Sequence, residues 1–121
     1  VNVISFGFKY GIPLEADLVI DVRLLPNPFY LPELRGSTGL DTEVRNFVFS
    51  YPQTTEFVKK LEDLLDFSLP LYVEEGKTNL VIAIVCTGGK HRSVAVAKEI
   101  GEYIAHRGYI TVVGHRDMGR N

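Results

Sequence analysis

Cysteine is almost missing from this chain of 121 residues: Cys86 is the single one. One thiol excludes an internal disulfide. One Cys with three His leaves too few soft ligands for an ordinary structural zinc site, so no metal is expected. The expected setting is a reducing cytoplasm. Long hydrophobic runs are missing as well. The longest apolar stretch, Leu80 to Cys86, falls far short of the ~20 residues that span a bilayer, so no membrane partner is expected. The chain opens on Val1-Asn2-Val3-Ile4, which is strand-like and unlike the charged start of a signal peptide. An excess of positive charge is also lacking. Thirteen Lys and Arg against 15 Asp and Glu give a net charge of −2, so bulk charge does not draw this chain to nucleic acid, although a local basic patch could. A hydrophobic fraction of 45% with 23% charged residues excludes a disordered, collagen-like or coiled-coil chain. Residues 1–121 are expected to form a single domain with a core of its own.

What is present alternates strand and helix signals. Val1 to Phe8 is rich in β-branched and aromatic residues and reads as a strand, closed by Gly11 and Pro13. Leu18 to Val22 is a second. A breaker-rich segment follows, with Pro26, Pro28, Pro32, Gly36 and Gly39. It also carries Leu24, Leu25, Phe29, Tyr30, Leu31 and Leu34, so it reads as a packed loop and not a plain connector. Asp41 or Thr42 is a candidate cap for a helix to about Ser50. A longer helix follows Pro52, with Phe57, Val58, Leu61, Leu64, Leu65 and Tyr72 at helical spacing and Pro70 expected to kink or end it. Leu80 to Val85 is an unbroken apolar run, the pattern of a strand buried on both faces of a parallel sheet. A helix from about Ser93 to Arg107, stopped by Gly108, and a last strand, Tyr109 to Val113, complete a βαβ unit. The expected class is α/β, with a mostly parallel sheet flanked by helices.

The sharpest chemical feature is Cys86-Thr87-Gly88-Gly89-Lys90-His91-Arg92-Ser93, set between the buried strand and a helix. A Gly-rich turn lets backbone N–H groups converge, and the helix N-terminus adds about half a positive charge there. Lys90, His91 and Arg92 add side-chain donors, so the segment reads as an oxyanion cradle. It is neither G-x-x-x-x-G-K-[ST] nor G-x-G-x-x-G. Cys86 and Arg92 do have the C-x-x-x-x-x-R spacing of cysteine-dependent phosphatases, with Cys86 as the nucleophile and Arg92 holding the phosphoryl oxygens. No Asp lies in a recognisable acid-loop motif, and Cys86 also fits as a small residue ending a core strand. Ligands of parallel sheets bind beyond the carboxyl ends of the strands. Lys9, Arg23, Lys90 to Arg92, and His115-Arg116 each follow a strand here, so a parallel sheet would bring their cations to one edge.

Three long motifs also carry a family resemblance: Ile4-Ser5-Phe6-Gly7-Phe8-Lys9-Tyr10-Gly11, Asp21 to Pro28, and Cys86 to Val94. Together with Thr38 to Asp41 and His115-Arg116-Asp117, they resemble the C-terminal domain of the RapZ (YvcJ-type) family of bacterial RNase adapters and nucleotide-binding proteins. That resemblance implies a Rossmann-like three-layer fold, akin to a sugar-phosphate-binding subdomain of phosphofructokinase. Family members carry a separate N-terminal P-loop domain that binds ATP and GTP; no Walker motif occurs in this chain, and no cofactor is expected in this domain. The family likeness further implies a non-enzymatic regulator that binds glucosamine-6-phosphate and a small RNA. Presenting the RNA to an endoribonuclease tunes amino-sugar synthesis. A homo-oligomer is expected. Matching motif by motif suggests Lys9, Arg23, Thr87, Gly88, His91 and Arg92 as ligand contacts. Gly89, Lys90 and Ser93 lie in the same loop, and Arg35, Thr38, His115 and Arg116 are candidate additional contacts. The enterobacterial pattern has a His after Pro-Asn-Pro where this chain has Phe29, and the basic C-terminal run of those members is absent.

Overall fold

In the computed structural model, which describes residues 1–120, four strands form one parallel sheet. They are β1 (Asn2–Gly7), β2 (Leu18–Asp21), β3 (Val81–Cys86) and β4 (Val112–His115), in the spatial order β2-β3-β1-β4. The helices are α1 (Pro32–Arg35), α2 (Thr42–Phe49), α3 (Pro52–Glu74) and α4 (Arg92–His106). This is the α/β three-layer class expected from the sequence, with the sheet parallel throughout.

Handedness explains how the layers are filled. Moving from β2 to β3 and from β3 to β4 advances in one direction across the sheet, so right-handed crossovers put both connections on one face. That face carries the main core. Val3, Ile82, Ile84 and Cys86 of the sheet pack with Val48 of α2, Val58, Leu61, Leu65 and Leu69 of α3, and Val96, Ile100 and Ile104 of α4. Moving from β1 to β2 runs the other way and crosses β3, so that connection belongs on the opposite face. There the segment between β1 and β2, without an α-helix, packs Ala16 on Phe6, Ala83 and Val85. β3 is buried at every residue, as its unbroken apolar run requires.

Local departures have local causes. α3 runs through Pro70 to Glu74. Pro70 is solvent-exposed, so the carbonyl that loses its donor there faces water and the helix need not stop. Leu64, whose spacing fits the buried stripe, is exposed. Asp41 stands at the N-cap of α2, yet its carboxylate accepts the Thr38 N–H in the preceding turn and caps no helical N–H. The last strand lies at Val112–His115, later than Tyr109 to Val113; Gly101 of α4 sits against the Val113 side chain, which sets that register. Gly108, at φ 94°, holds the left-handed turn after α4. Among the described residues no helix is long and apolar enough to cross a membrane.

Candidate functional site

Because all four strands point the same way, their carboxyl ends share one edge, and a cavity of about 450 Å³ opens there. Its walls come from four places in the chain. Lys9 and Tyr10 follow β1. Asn27, Phe29, Tyr30 and Arg35 come from the breaker-rich segment. Cys86, Thr87, Gly88, Lys90, His91 and Arg92 form the loop entering α4, and Arg120 arrives from the C-terminal turn.

Close backbone approach fixes the loop. A side chain at Gly7 would lie 2.6 Å from the Gly88 carbonyl carbon, and one at Gly89 would lie 2.5 Å from the Gly7 nitrogen. The loop and the end of β1 therefore touch backbone to backbone, and Gly89 at φ 74° is needed twice over. The Lys9 N–H donates to the Thr87 carbonyl, and the Gly39 N–H donates to the Lys90 carbonyl at 2.9 Å. A side chain at Gly39 would overlap the His91 carbonyl, so this glycine lets the long loop seat against the start of α4. Gly88 has open space around its α-carbon, so packing alone does not require glycine there.

Asp117 braces the arrangement from behind. Fully buried, its carboxylate accepts the Gly7 N–H at 2.8 Å and ion-pairs with Arg116 and Arg120. Burial alone would raise its pKa; the hydrogen bonds from Arg116 and Gly7 outweigh that and hold it below its ordinary value. The Arg120 guanidinium, anchored on Asp117, lies 4.7 Å from the Tyr10 ring centroid.

Two polar side chains at the mouth of α4 are left incompletely satisfied. Arg92 is only 5% exposed. Its Nη1 donates to the carbonyls of Arg23 (2.6 Å) and Leu25 (3.1 Å), whereas its Nε has no hydrogen-bond partner among the described residues. Burial pushes the Arg92 pKa down, and that outranks the opposing pull of Cys86 and Asp21. His91, 6% exposed, has an unpartnered Nε2; burial and then Lys90 lower its pKa below 6.5. Both residues line the cavity. Lys9, Arg35, Lys90, Arg92 and Arg120 line it too, and no carboxylate does among the described residues. A protein of net charge −2 has here gathered cations around a concavity. Such a site favours an anion with several acceptor oxygens.

The structure brings Lys9, Arg35, Thr87, Gly88, Lys90, His91 and Arg92 together in the cavity wall, with Cys86 beside them. It places the other residues singled out from sequence elsewhere. Arg23 is engaged by Asp21 through Nε and Nη2, with its guanidinium 4.3 Å from the Phe8 ring centroid, and its carbonyl supports Arg92. Ser93 is buried and accepts the Cys86 thiol hydrogen at 3.1 Å. Thr38 shapes the turn before α2 by accepting the Leu40 N–H. His115 Nδ1 lies 2.7 Å from Ser5 Oγ, and Arg116 donates to the Gly11 carbonyl and to Asp117. Gly89 serves the loop's close packing. Tyr10, Asn27, Phe29, Tyr30 and Arg120 enter the wall without having been singled out as contacts. The richness of the 24–34 segment in both breakers and aromatics was a usable signal for three of them. For Arg120 the sequence offers none.

Comparison with known proteins agrees with the three motifs. The model of the RapZ C-terminal domain matches residues 1–119. A protein of Geobacillus thermodenitrificans called a nucleotide-binding protein is 59% identical over 120 residues, covering 99% of this chain and 40% of that protein. Proteins of the same description from Desulforudis audaxviator and Acetivibrio thermocellus are 57% and 52% identical over 121 residues, covering all of this chain and 41% and 42% of theirs. The chain thus spans about two fifths of the length of the curated relatives it matches.

Proposed function

The chain belongs to the RapZ C-terminal domain family, and on that premise we propose that its cavity is a sensor site for a phosphorylated metabolite, an amino-sugar phosphate such as glucosamine-6-phosphate. The observation that carries this reading is the buried Arg92 Nε, a donor without an acceptor, beside the unpartnered His91 Nε2, in a wall of cations that holds no carboxylate among the described residues. A phosphate supplies the acceptor that Arg92 Nε lacks. Lys9 and Lys90 act as mobile point charges, and Arg92 as a fixed donor held by two carbonyls. The volume of about 450 Å³ exceeds what a bare phosphate fills and suits a small phosphorylated metabolite with its waters. Tyr10, Phe29 and Tyr30 offer flat apolar surface to a sugar ring, and Asn27 and the tyrosine hydroxyls are polar groups able to read its substituents.

Binding without turnover is the proposed outcome. Cys86 and Arg92 retain the spacing of a cysteine phosphatase, yet among the described residues the cavity wall holds no carboxylic acid to protonate a leaving group, and one guanidinium nitrogen of Arg92 is committed to backbone carbonyls. The word nucleotide in the relatives' names is assigned to the three fifths of their length outside this chain, since no Walker motif occurs here. A second partner, a regulatory small RNA presented to an endoribonuclease, is favoured by exposed Phe8, Phe29 and Tyr30, the last two in the cavity wall, with Arg23 over Phe8 and Arg35 over Phe29.

Titration calorimetry with glucosamine-6-phosphate, glucose-6-phosphate, glucosamine and inorganic phosphate tests the sensor reading. Selective binding of the first supports it. Equal binding of every phosphate reduces the site to a general oxyanion cradle, and turnover of an aryl phosphate that is lost in Cys86→Ser replaces it with the enzyme reading. RNA affinity that does not fall with added salt removes the RNA partner.

A further inference from the structure

Cys86, the single thiol of the chain, stands in two environments at once. It ends β3, packs with the main core and is only 3% exposed, yet it also lines the cavity. Its sulfur is thus approached from the cavity and not from the outer surface. Packing alone does not ask for a thiol there. The thiol hydrogen goes to Ser93 Oγ at 3.1 Å, itself fully buried at the start of α4, and an alanine or valine would need no such partner. The charge around the sulfur is positive. β3 leads into the N-terminus of α4, and Arg23 and Arg92 both lie within electrostatic reach of Cys86. Asp21 beside them is held by Arg23. A second observation points to an acceptor that belongs in this wall: Arg92 is 5% exposed, and its Nε has no partner among the described residues.

An oxygen added to the Cys86 sulfur brings both an acceptor and negative charge to that wall. We propose that Cys86 is a site of reversible oxidation by hydroperoxides, and that its sulfenic acid takes the oxyanion place of the cavity and shuts the ligand out. The oxidation stands on the thiol and its surroundings; the exclusion of ligand rests on the phosphate reading of the cavity. In the forward step the sulfur attacks one peroxide oxygen. The S–O bond forms, the O–O bond breaks, and the thiol proton joins the leaving hydroxide as water. Sulfur loses two electrons and the peroxide gains them. The chain has no second cysteine, so the sulfenic acid finds no internal thiol with which to close a disulfide. Two equivalents of a small thiol restore it. The first gives a mixed disulfide and water, and the second releases the Cys86 thiol and the small-molecule disulfide.

Hydrogen peroxide with excess dimedone, followed by intact mass, tests this on the 121-residue chain. One dimedone per folded chain is expected, and none on Cys86→Ala. Inorganic phosphate or glucosamine-6-phosphate at about ten times its Kd leaves about one cavity in eleven empty, so labelling should slow roughly ten-fold. Chloride at equal ionic strength should not slow it. In calorimetry the peroxide-treated chain should lose glucosamine-6-phosphate binding and regain it after a small thiol. Whatever affinity Cys86→Ala has should not change on peroxide treatment. A folded chain that gains no dimedone overturns the proposal. Labelling that bound phosphate leaves unchanged, or an oxidised chain that binds as before, overturns it equally. If neither phosphate binds the reduced chain, the sensor reading falls and ligand exclusion with it, while the dimedone adduct still decides whether Cys86 is the oxidation site.

Discussion

Arg92→Met is the sharpest test of the cavity. Methionine keeps the aliphatic stem and removes the guanidinium. In the structure that guanidinium satisfies the carbonyls of Arg23 and Leu25. Leaving two buried or half-buried carbonyls without a donor costs about 1–3 kcal/mol each. Against this stands the burial penalty of the cation, which its protein partners do not fully offset: its pKa is pushed down, not up. The net loss is therefore smaller than the bonds alone suggest, about 1–2 kcal/mol. That is roughly 4–8 °C in melting temperature for a domain of this size. Ligand response changes far more. At a phosphorylated ligand concentration of about 100 times Kd, wild type gains about 2.7 kcal/mol. Losing a buried charge-assisted contact weakens binding about a hundred-fold, and the same ligand concentration then contributes only about 0.4 kcal/mol. Differential scanning fluorimetry with and without glucosamine-6-phosphate reads both quantities. A variant that is mildly destabilised and nearly blind to the ligand is expected. One that keeps the full ligand shift shows that Arg92 is a loop clamp and not a phosphate donor.

Gly39→Ala pushes a methyl group onto the His91 carbonyl and the Ala95 nitrogen, so it should cost about 2 kcal/mol and misplace the start of α4, seen as lower urea midpoint and weaker phosphate binding together. Asp117→Asn leaves Arg116 and Arg120 without their shared carboxylate; about 2–3 kcal/mol of stability should go, and the loss should shrink as Arg116→Met is added. His91 and His115 have pKa values lowered by burial, so the unfolded chain takes up protons first as pH falls through 6.5. Stability should be full above that pH and decline below it in urea titrations. His91→Gln should flatten the decline, and an unchanged slope would remove His91 from the account.

Much of the fold was legible because burial leaves a periodic trace. The run Leu80 to Val85 announces a strand covered on both faces, and it lies at the sheet centre beside β1. The loop from Thr87 to Arg92, which enters the cavity wall, was legible through its glycines and its cations. Less visible was the fate of individual cations. Arg23 and Arg116 follow strands as the edge rule asks, yet each is drawn off by an adjacent carboxylate, Asp21 or Asp117, and spacing alone does not say whether a charge faces its neighbour or a ligand. Leu64 was read into the core because a single helical period cannot distinguish one apolar face from two lying side by side. Arg120 escaped because its position depends on an ion pair with Asp117 and a ring at Tyr10, a contact across most of the chain.

The strand order carries a consequence for how the chain is made. β1 comes first in the sequence, yet its ladder partners are Val81 to Cys86 on one side and Val112 to His115 on the other. During synthesis, the stretch Asn2 to Gly7 waits unpaired until Val81 to Cys86 is made, and its other edge stays open until Val112 to His115 follows. Loop closure over such separations makes folding slow and leaves an apolar strand edge open meanwhile. The cavity closes last, since Arg120 and the Asp117 brace follow β4. A nascent domain of this kind keeps an apolar strand edge open until β3 is made, and its cavity wall is complete only once Arg120 has followed β4.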